Sequence, residues 1–177
     1  PLAAWGSPFP PLGPLRVGAM VPPTAAVVSL MKGVEVGRTK RLSKVIRGVG
    51  GVGVERVVVV SGPTLAKEIA RKQPAASVVA CCDQATAERV AAACATGYFR
   101  PYFNHDVVGT ELGGAVKNVV ALAVGMAEGM GMGDNTKASI ITRGLAGTAR
   151  PGARLGAGPP ALLGLALIHN RRPPPTI

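Results

Sequence analysis

Residues 47–63 read RGVGGVGVERVVVVSGP, and the order of the parts in this stretch decides the fold. Gly48-Val49-Gly50-Gly51-Val52-Gly53 satisfies G-x-G-x-x-G, the spacing of a dinucleotide-binding fingerprint. Such glycines work by position: they follow a strand and open a helix, so that a pyrophosphate meets the helix N-terminus. Here the order is reversed. The basic run RTKRLSKVIR (38–47), with helical spacing, leads into the glycines, and the valine run RVVVVS (56–61) leaves them. Where the fingerprint wants an acidic residue about 20 positions on, Gln73 and Pro74 stand instead. The glycines read as a helix C-cap and a turn into a strand.

Outward from this stretch the chain alternates. AAVVSL (25–30) is a short β-branched run, and RVVVVS has the unbroken apolar character of a strand buried on both faces. TLAKEIARK (64–72) is helical, ASVVACC (76–82) strand-like, DQATAERVAAACAT (83–96) helical behind an acidic cap, and YFRPYFN (98–104) extended. This rhythm predicts α/β layering with a largely parallel sheet. From Asp106 the texture turns Ala/Val/Gly-rich and helical, with no strand candidate after Asn104. The organisation expected is an atypical Pro/Gly-rich leader (1–20), an α/β part (21–105), a helical part (106–168) and a basic Pro-rich tail (169–177).

The 177 residues, 47% hydrophobic and 3% aromatic, suit one compact domain or two small pieces of domains. No run of about 18 apolar residues is free of charge, Gly or Pro, so no transmembrane helix is expected. The start has no secretory-signal pattern and no Met, which reads as a beginning part-way through a gene product. Cys81, Cys82 and Cys94 lack metal-ligand spacing and read as reduced thiols of a cytosolic protein. Against 9 Asp+Glu stand 20 Lys+Arg, a formal +11. The charges are spread from Arg16 to Arg172, with only 38–47 dense. No nucleic-acid-binding motif accompanies them. A solvated helix face is the plain reading, and an anionic ligand the sharper one.

Three places carry candidate chemistry. The valine strand ends in Ser61-Gly62-Pro63-Thr64 before a helix, a turn where helix N–H groups can meet an anion or where Thr64 simply caps. SLMKG (29–33) repeats the shape with Lys32, and ligands of open α/β sheets gather at that carboxyl edge. Lys117 has Gly113, Gly114 and Ala121 three and four residues away on a helix. A lysine among small residues either becomes a desolvated amine able to act as a base, or stays exposed beside a tight helix contact. Asn118 and Asn135 could add hydrogen bonds.

VSLMKGVE, VVVVSGPTLAKEIA and YFRPYFNHDVVGTELGGAVKNVVALAVGMAEGMGMGDNTKASIITRGL together resemble the bacterial-type NAD(P)-dependent sn-glycerol-3-phosphate dehydrogenases, from about Val27 to Thr148. The resemblance implies the C-terminal part of a Rossmann-type parallel sheet followed by the start of an all-helical substrate domain. It implies reversible reduction of dihydroxyacetone phosphate to sn-glycerol 3-phosphate with NAD(P), for glycerophospholipid synthesis in the cytoplasm. Position by position, it implies that Lys32 touches cofactor and substrate, that Gly62 and Thr64 contact substrate, and that Ala66 contacts cofactor. Lys117 is implied as proton acceptor, Asn135 as a substrate neighbour and Arg143 as a residue of the helical signature. A homodimer is compatible with it; nucleic acid and membrane are not expected as partners.

The chain also departs from the family pattern. No strand with G-x-G-x-W-G-T-A precedes Val27, and Trp5-Gly6 reads as coincidence. Gly147 stands where the family has an acidic residue, and GLALIHNRRPPPTI, with His169 and Asn170, replaces the phosphate-gripping motifs. These departures make low activity and marginal stability the expectation for this chain. Another β-hydroxyacid dehydrogenase, a basic nucleic-acid-binding module and a non-functional fragment are the rival readings.

Overall fold

The computed structural model describes residues 2–5, 21–35, 37 and 39–158. The tail, with His169 and Asn170, and most of the leader lie outside the described residues.

The valine run becomes β3 (Val57–Ser61), buried along its whole length. The helix before it, α1, spans Leu42–Gly50 and ends on Gly51, whose φ of 60° places it in the left-handed region. Gly51 donates its N–H to the Arg47 carbonyl at 3.1 Å, closing the last turn. A short 3-10 turn (Val54–Arg56) then delivers the chain into β3. The glycine run is thus a helix end followed by a turn, as its order predicted.

Around β3 lie β1 (Leu2–Trp5), β2 (Ala26–Ser29), β4 (Ala75–Ala80) and β5 (Phe99–Asn104), arranged in chain order in one five-stranded sheet. The remaining helices are α2 (Ala66–Ala70), α3 (Gln84–Cys94), α4 (Val107–Gly129) and α5 (Asp134–Arg154). Helices cover both faces. On one, Val28, Val58, Val60, Val79 and Cys81 pack with Ala87, Val90 and Ala91 of α3. On the other, Val27 and Val57 pack with Val52 and with Ile46 of α1. Val58 and Val79 are fully buried, and each such side chain contributes roughly 1.5–3 kcal/mol.

Two expectations are corrected. The sheet is mixed: β1, β2 and β3 run parallel, β3 and β4 antiparallel, β4 and β5 parallel. The physical reason lies in α2, which has only five residues and none of them buried. A parallel crossover needs a helix laid across the sheet face; this one stays outside, so the chain simply turns back. The second correction concerns Trp5. Leu2–Trp5 does form a strand, with Trp5 opposite Ser29, and it pairs the otherwise open edge of β2.

Among the described residues no strand follows Asn104. Asp106 starts α4 by accepting the Gly109 N–H at 2.7 Å, and its other carboxylate oxygen accepts the Gly158 N–H at 2.7 Å. One side chain therefore ties the start of α4 to the segment just past α5. The two helices pack tightly at Gly144, where a Cβ would lie 2.8 Å from Val120 Cγ2. By length and composition α4 could cross a bilayer, contrary to the sequence expectation. Yet Thr110, Glu111 and Gly114 on it are buried.

Candidate active site

β2 and β3 run parallel, with Ser29 opposite Val59, so the turns after Ser29 and Ser61 open on the same sheet edge. Lys32 lies three residues beyond β2 and Gly62 one residue beyond β3. The Lys32 ammonium donates to the Gly62 carbonyl oxygen at 2.9 Å. From α4 the Lys117 ammonium donates to the same oxygen at 3.2 Å. Two cations thus converge on one backbone acceptor. Burial, and then the neighbouring charge of Lys117, hold the Lys32 ammonium below the ordinary lysine range.

Glycines make this convergence possible. Gly62 has φ 148°, a conformation that side chains rarely adopt, and a Cβ on it would stand 3.0 Å from the Ser77 Cα. Gly114 lies three residues before Lys117, and a Cβ there would stand 2.5 Å from the Ser61 hydroxyl and 3.8 Å from Lys32 Cγ. With hydrogen at that position, α4 comes close enough to the strand ends for Lys117 to reach Gly62.

The other sequence candidates are placed differently. Thr64 is half-buried in the turn after Gly62, and Ala66 is the exposed first residue of α2. The N-cap of α2 is Leu65, with no side-chain capping bond. A five-residue helix has little dipole to offer an anion. Asn135 and Arg143 are exposed on α5, where they line an open recess with Ala138, Ser139 and Thr142. Given the Gly144–Val120 contact, Asn135 lies on the order of 18 Å along the hairpin from Lys117. The structure brings Lys32, Gly62 and Lys117 together and leaves Asn135 apart from them.

One cluster beside the site went unread in the sequence. Glu111 of α4 is buried, and its carboxylate accepts the Ser43 N–H at 2.8 Å, the Ser43 hydroxyl at 2.6 Å and an Arg41 N–H at 2.6 Å. The N-cap residue of α1, Arg41, makes no side-chain capping bond, and the first turn of α1 holds no acidic residue. A carboxylate from another helix takes that place.

The N-terminal model of NAD-dependent glycerol-3-phosphate dehydrogenase matches residues 16–87, and its C-terminal model matches residues 106–170. The chain belongs to the NAD-dependent glycerol-3-phosphate dehydrogenase family. It is 62% identical over 144 residues to the glycerol-3-phosphate dehydrogenase (NAD(P)+) of Streptomyces griseus, covering 81% of this chain and 43% of that one. The enzyme of the same name from Parafrankia is 62% identical over 147 residues, 83% of this chain and 44% of that one. The chain thus spans less than half the length of these relatives. Among solved structures it resembles glycerol-3-phosphate dehydrogenase from Coxiella burnetii, with TM-score 0.77, 32% identity, and coverage of 86% of this chain and 46% of the other. The yeast glycerol-3-phosphate dehydrogenase GPD1 matches with TM-score 0.76 and 26% identity over 93% of this chain and 51% of its own.

Proposed function

We propose that this chain carries the lysine half of a glycerol-3-phosphate dehydrogenase site, working on dihydroxyacetone phosphate and sn-glycerol 3-phosphate. The observation that carries this reading is the convergence of Lys32 and Lys117 on the Gly62 carbonyl at the carboxyl edge of the sheet. The names of the relatives supply the substrate.

In the reduction direction Lys117 Nζ gives a proton to the ketone oxygen; in oxidation its neutral amine takes the hydroxyl proton. Lys32 adds a second donor and a second positive charge, which suits a phosphorylated, anionic substrate. Gly62 contributes its backbone, the space its Cβ would take being filled by Ser77, and Thr64 offers a hydroxyl in the same turn. A bound nicotinamide cofactor would supply the hydride or accept it.

The residues present fit the nicotinamide end of such a cofactor through Lys32, with Ala66 the exposed first residue of α2 beyond the adjacent turn. Among the described residues none builds its pyrophosphate cradle. β1 is followed by Gly6-Ser7-Pro8-Phe9-Pro10, without the fingerprint spacing, and the glycines at 48–53 belong to the end of α1. The same reading places a nucleotide-binding part before residue 105 and a substrate part after it, in a cytoplasmic protein that forms a homodimer. Oxidation of NAD(P)H by the purified chain, with and without dihydroxyacetone phosphate, tests it against wild type and Lys117→Met. Slow turnover that Lys117→Met abolishes is expected. Equal turnover by the two proteins, or NAD(P)H oxidation with the oxo form of a non-phosphorylated hydroxy acid instead, overturns the assignment.

A further inference from the structure

Along α4, residues 111, 114 and 117 follow one another at intervals of three, each about 4.5 Å further along the axis. Each is a point of attachment to a different part of the α/β layer. Glu111 binds the first turn of α1 through Ser43 and Arg41. Gly114 lies against Ser61 at the end of β3, and Lys117 reaches the Gly62 carbonyl.

These attachments differ in strength. The Lys117 bond is single, part-buried and 3.2 Å long. The Gly114 contact allows close approach without holding it. Glu111 makes three bonds of 2.8 Å or less with a side chain only 4% exposed. Charge-assisted bonds of this kind are among the stronger ones. A slide of α4 by one residue, about 1.5 Å, would break them and would also carry Lys117 away from Gly62.

We propose that Glu111 is a positioning residue: by capping α1 it holds α4 in the register that carries the Lys117 ammonium to the Gly62 carbonyl. The inference rests on the proposed role of Lys117, because the hydrogen bonds of Glu111 go to Ser43 and Arg41 rather than to the three site residues. Arg41 orients the carboxylate through a bond to Ser43 Oγ at 3.2 Å and its own bond to Glu111.

The test measures where the amine is, not whether the chain turns over. Wild-type chain, Glu111→Gln and Ser43→Ala are treated with a lysine-acylating reagent at fixed pH, and the rate at each lysine is followed by peptide mass spectrometry. Gln keeps the size and can still accept the Ser43 N–H, but it loses the charge that pairs with Arg41. Lys117 and Lys32 are expected to react roughly fivefold faster in Glu111→Gln, the weight of about one hydrogen bond, while Lys67 and Lys72 keep their rates. Ser43→Ala removes one of the three bonds and gives a smaller rise at the same two lysines. It serves alone if Glu111→Gln does not fold. Uniform acceleration at all lysines shows a structural role only and overturns the proposal, as does an unchanged Lys117 rate. Turnover measurements bear on the proposed dehydrogenase role and leave this result standing.

Discussion

A Cβ on Gly114 would stand 2.5 Å from the hydroxyl of Ser61, so a helix and a strand end meet where any side chain must displace that hydroxyl. Two effects of Gly114→Ala compete there. Alanine in a helix interior gains about 0.5–1 kcal/mol over glycine. Overpacking a close contact costs typically about 1–3 kcal/mol, and the clash is expected to win. With Ser61→Ala in place the nearest side-chain atom is the former Ser61 Cβ, at 3.6 Å, an ordinary contact. Gly114→Ala is therefore expected to lower the melting temperature in the wild type and to leave it unchanged or raise it in the Ser61→Ala background. Additive effects of the two substitutions in a double-mutant cycle would sink this account.

At the other face of the sheet Asp83 caps α3, accepting the Thr86 N–H at 2.8 Å. Hydrogen bonding from Thr86, from its hydroxyl first and then from this N–H, holds the Asp83 carboxyl below the usual carboxylate range. A depressed folded-state value means that the stabilisation is present above the unfolded value, near 3.9, and is lost as pH falls through the lower folded one. Asp83→Ala should melt below wild type at neutral pH, and the gap should close as pH drops under about 4. A gap that persists unchanged at pH 2 would show that the cap does not act through its charge.

Local signals were the legible ones. The unbroken valines predicted β3, and the order of helix, glycines and strand predicted a helix C-cap and a turn, because both depend on neighbours in the chain; the helix runs on through Gly48 and Gly50, and the cap falls on Gly51. The direction of β4 was not legible: TLAKEIARK shows helix propensity, but not that the helix stays off the sheet. β1 was missed because Leu2–Trp5 is four residues long and its partner lies more than twenty residues downstream. In the site, Lys32 and Lys117 stood out by a turn and by small neighbours. Glu111 did not, since the residues it binds lie 68 and 70 positions upstream. One signal was available. Between Asp106 and Met126 it is the only carboxylate, and α1 begins at Arg41-Leu42-Ser43 without an acidic residue in its first turn.

Gly62 is required for two reasons that act together. Its φ of 148° is nearly closed to other residues, and the atom a Cβ would meet, Ser77 Cα, is backbone and cannot swing aside. Gly62→Ala is expected to cost about 1–3 kcal/mol from the strained conformation. Relief of the strain turns the peptide that both lysines share, so Lys32 and Lys117 should lose their common acceptor. Denaturant unfolding gives the cost, and amide exchange at residues 62–64 reports the local change. An Ala variant as stable as wild type, with unaltered exchange, would contradict this picture.

The pairing of the two lysines predicts how Lys32 titrates when Lys117 is removed. Burial is the larger cause of the lowered Lys32 value and the charge of Lys117 the smaller. In Lys117→Met the midpoint of Lys32 should therefore rise, yet stop short of the ordinary lysine value near 10.4, because the desolvation remains. The linkage to stability follows with its sign. Between the lowered folded value and the ordinary unfolded one, the unfolded chain binds more protons, so wild-type stability rises with pH across that window. Below it the charged, partly desolvated Lys32 is a burden on the fold. Lys32→Met removes that burden and also the bond to Gly62. Its melting temperature relative to wild type should consequently fall as pH climbs through the window, whatever the offset at neutral pH. The acylation rate of Lys32 against pH, followed by peptide mass spectrometry, measures the midpoint directly. A midpoint indifferent to Lys117→Met would mean that the two ammonium groups do not sense each other, and the shared carbonyl would then be a packing contact with no electrostatic consequence.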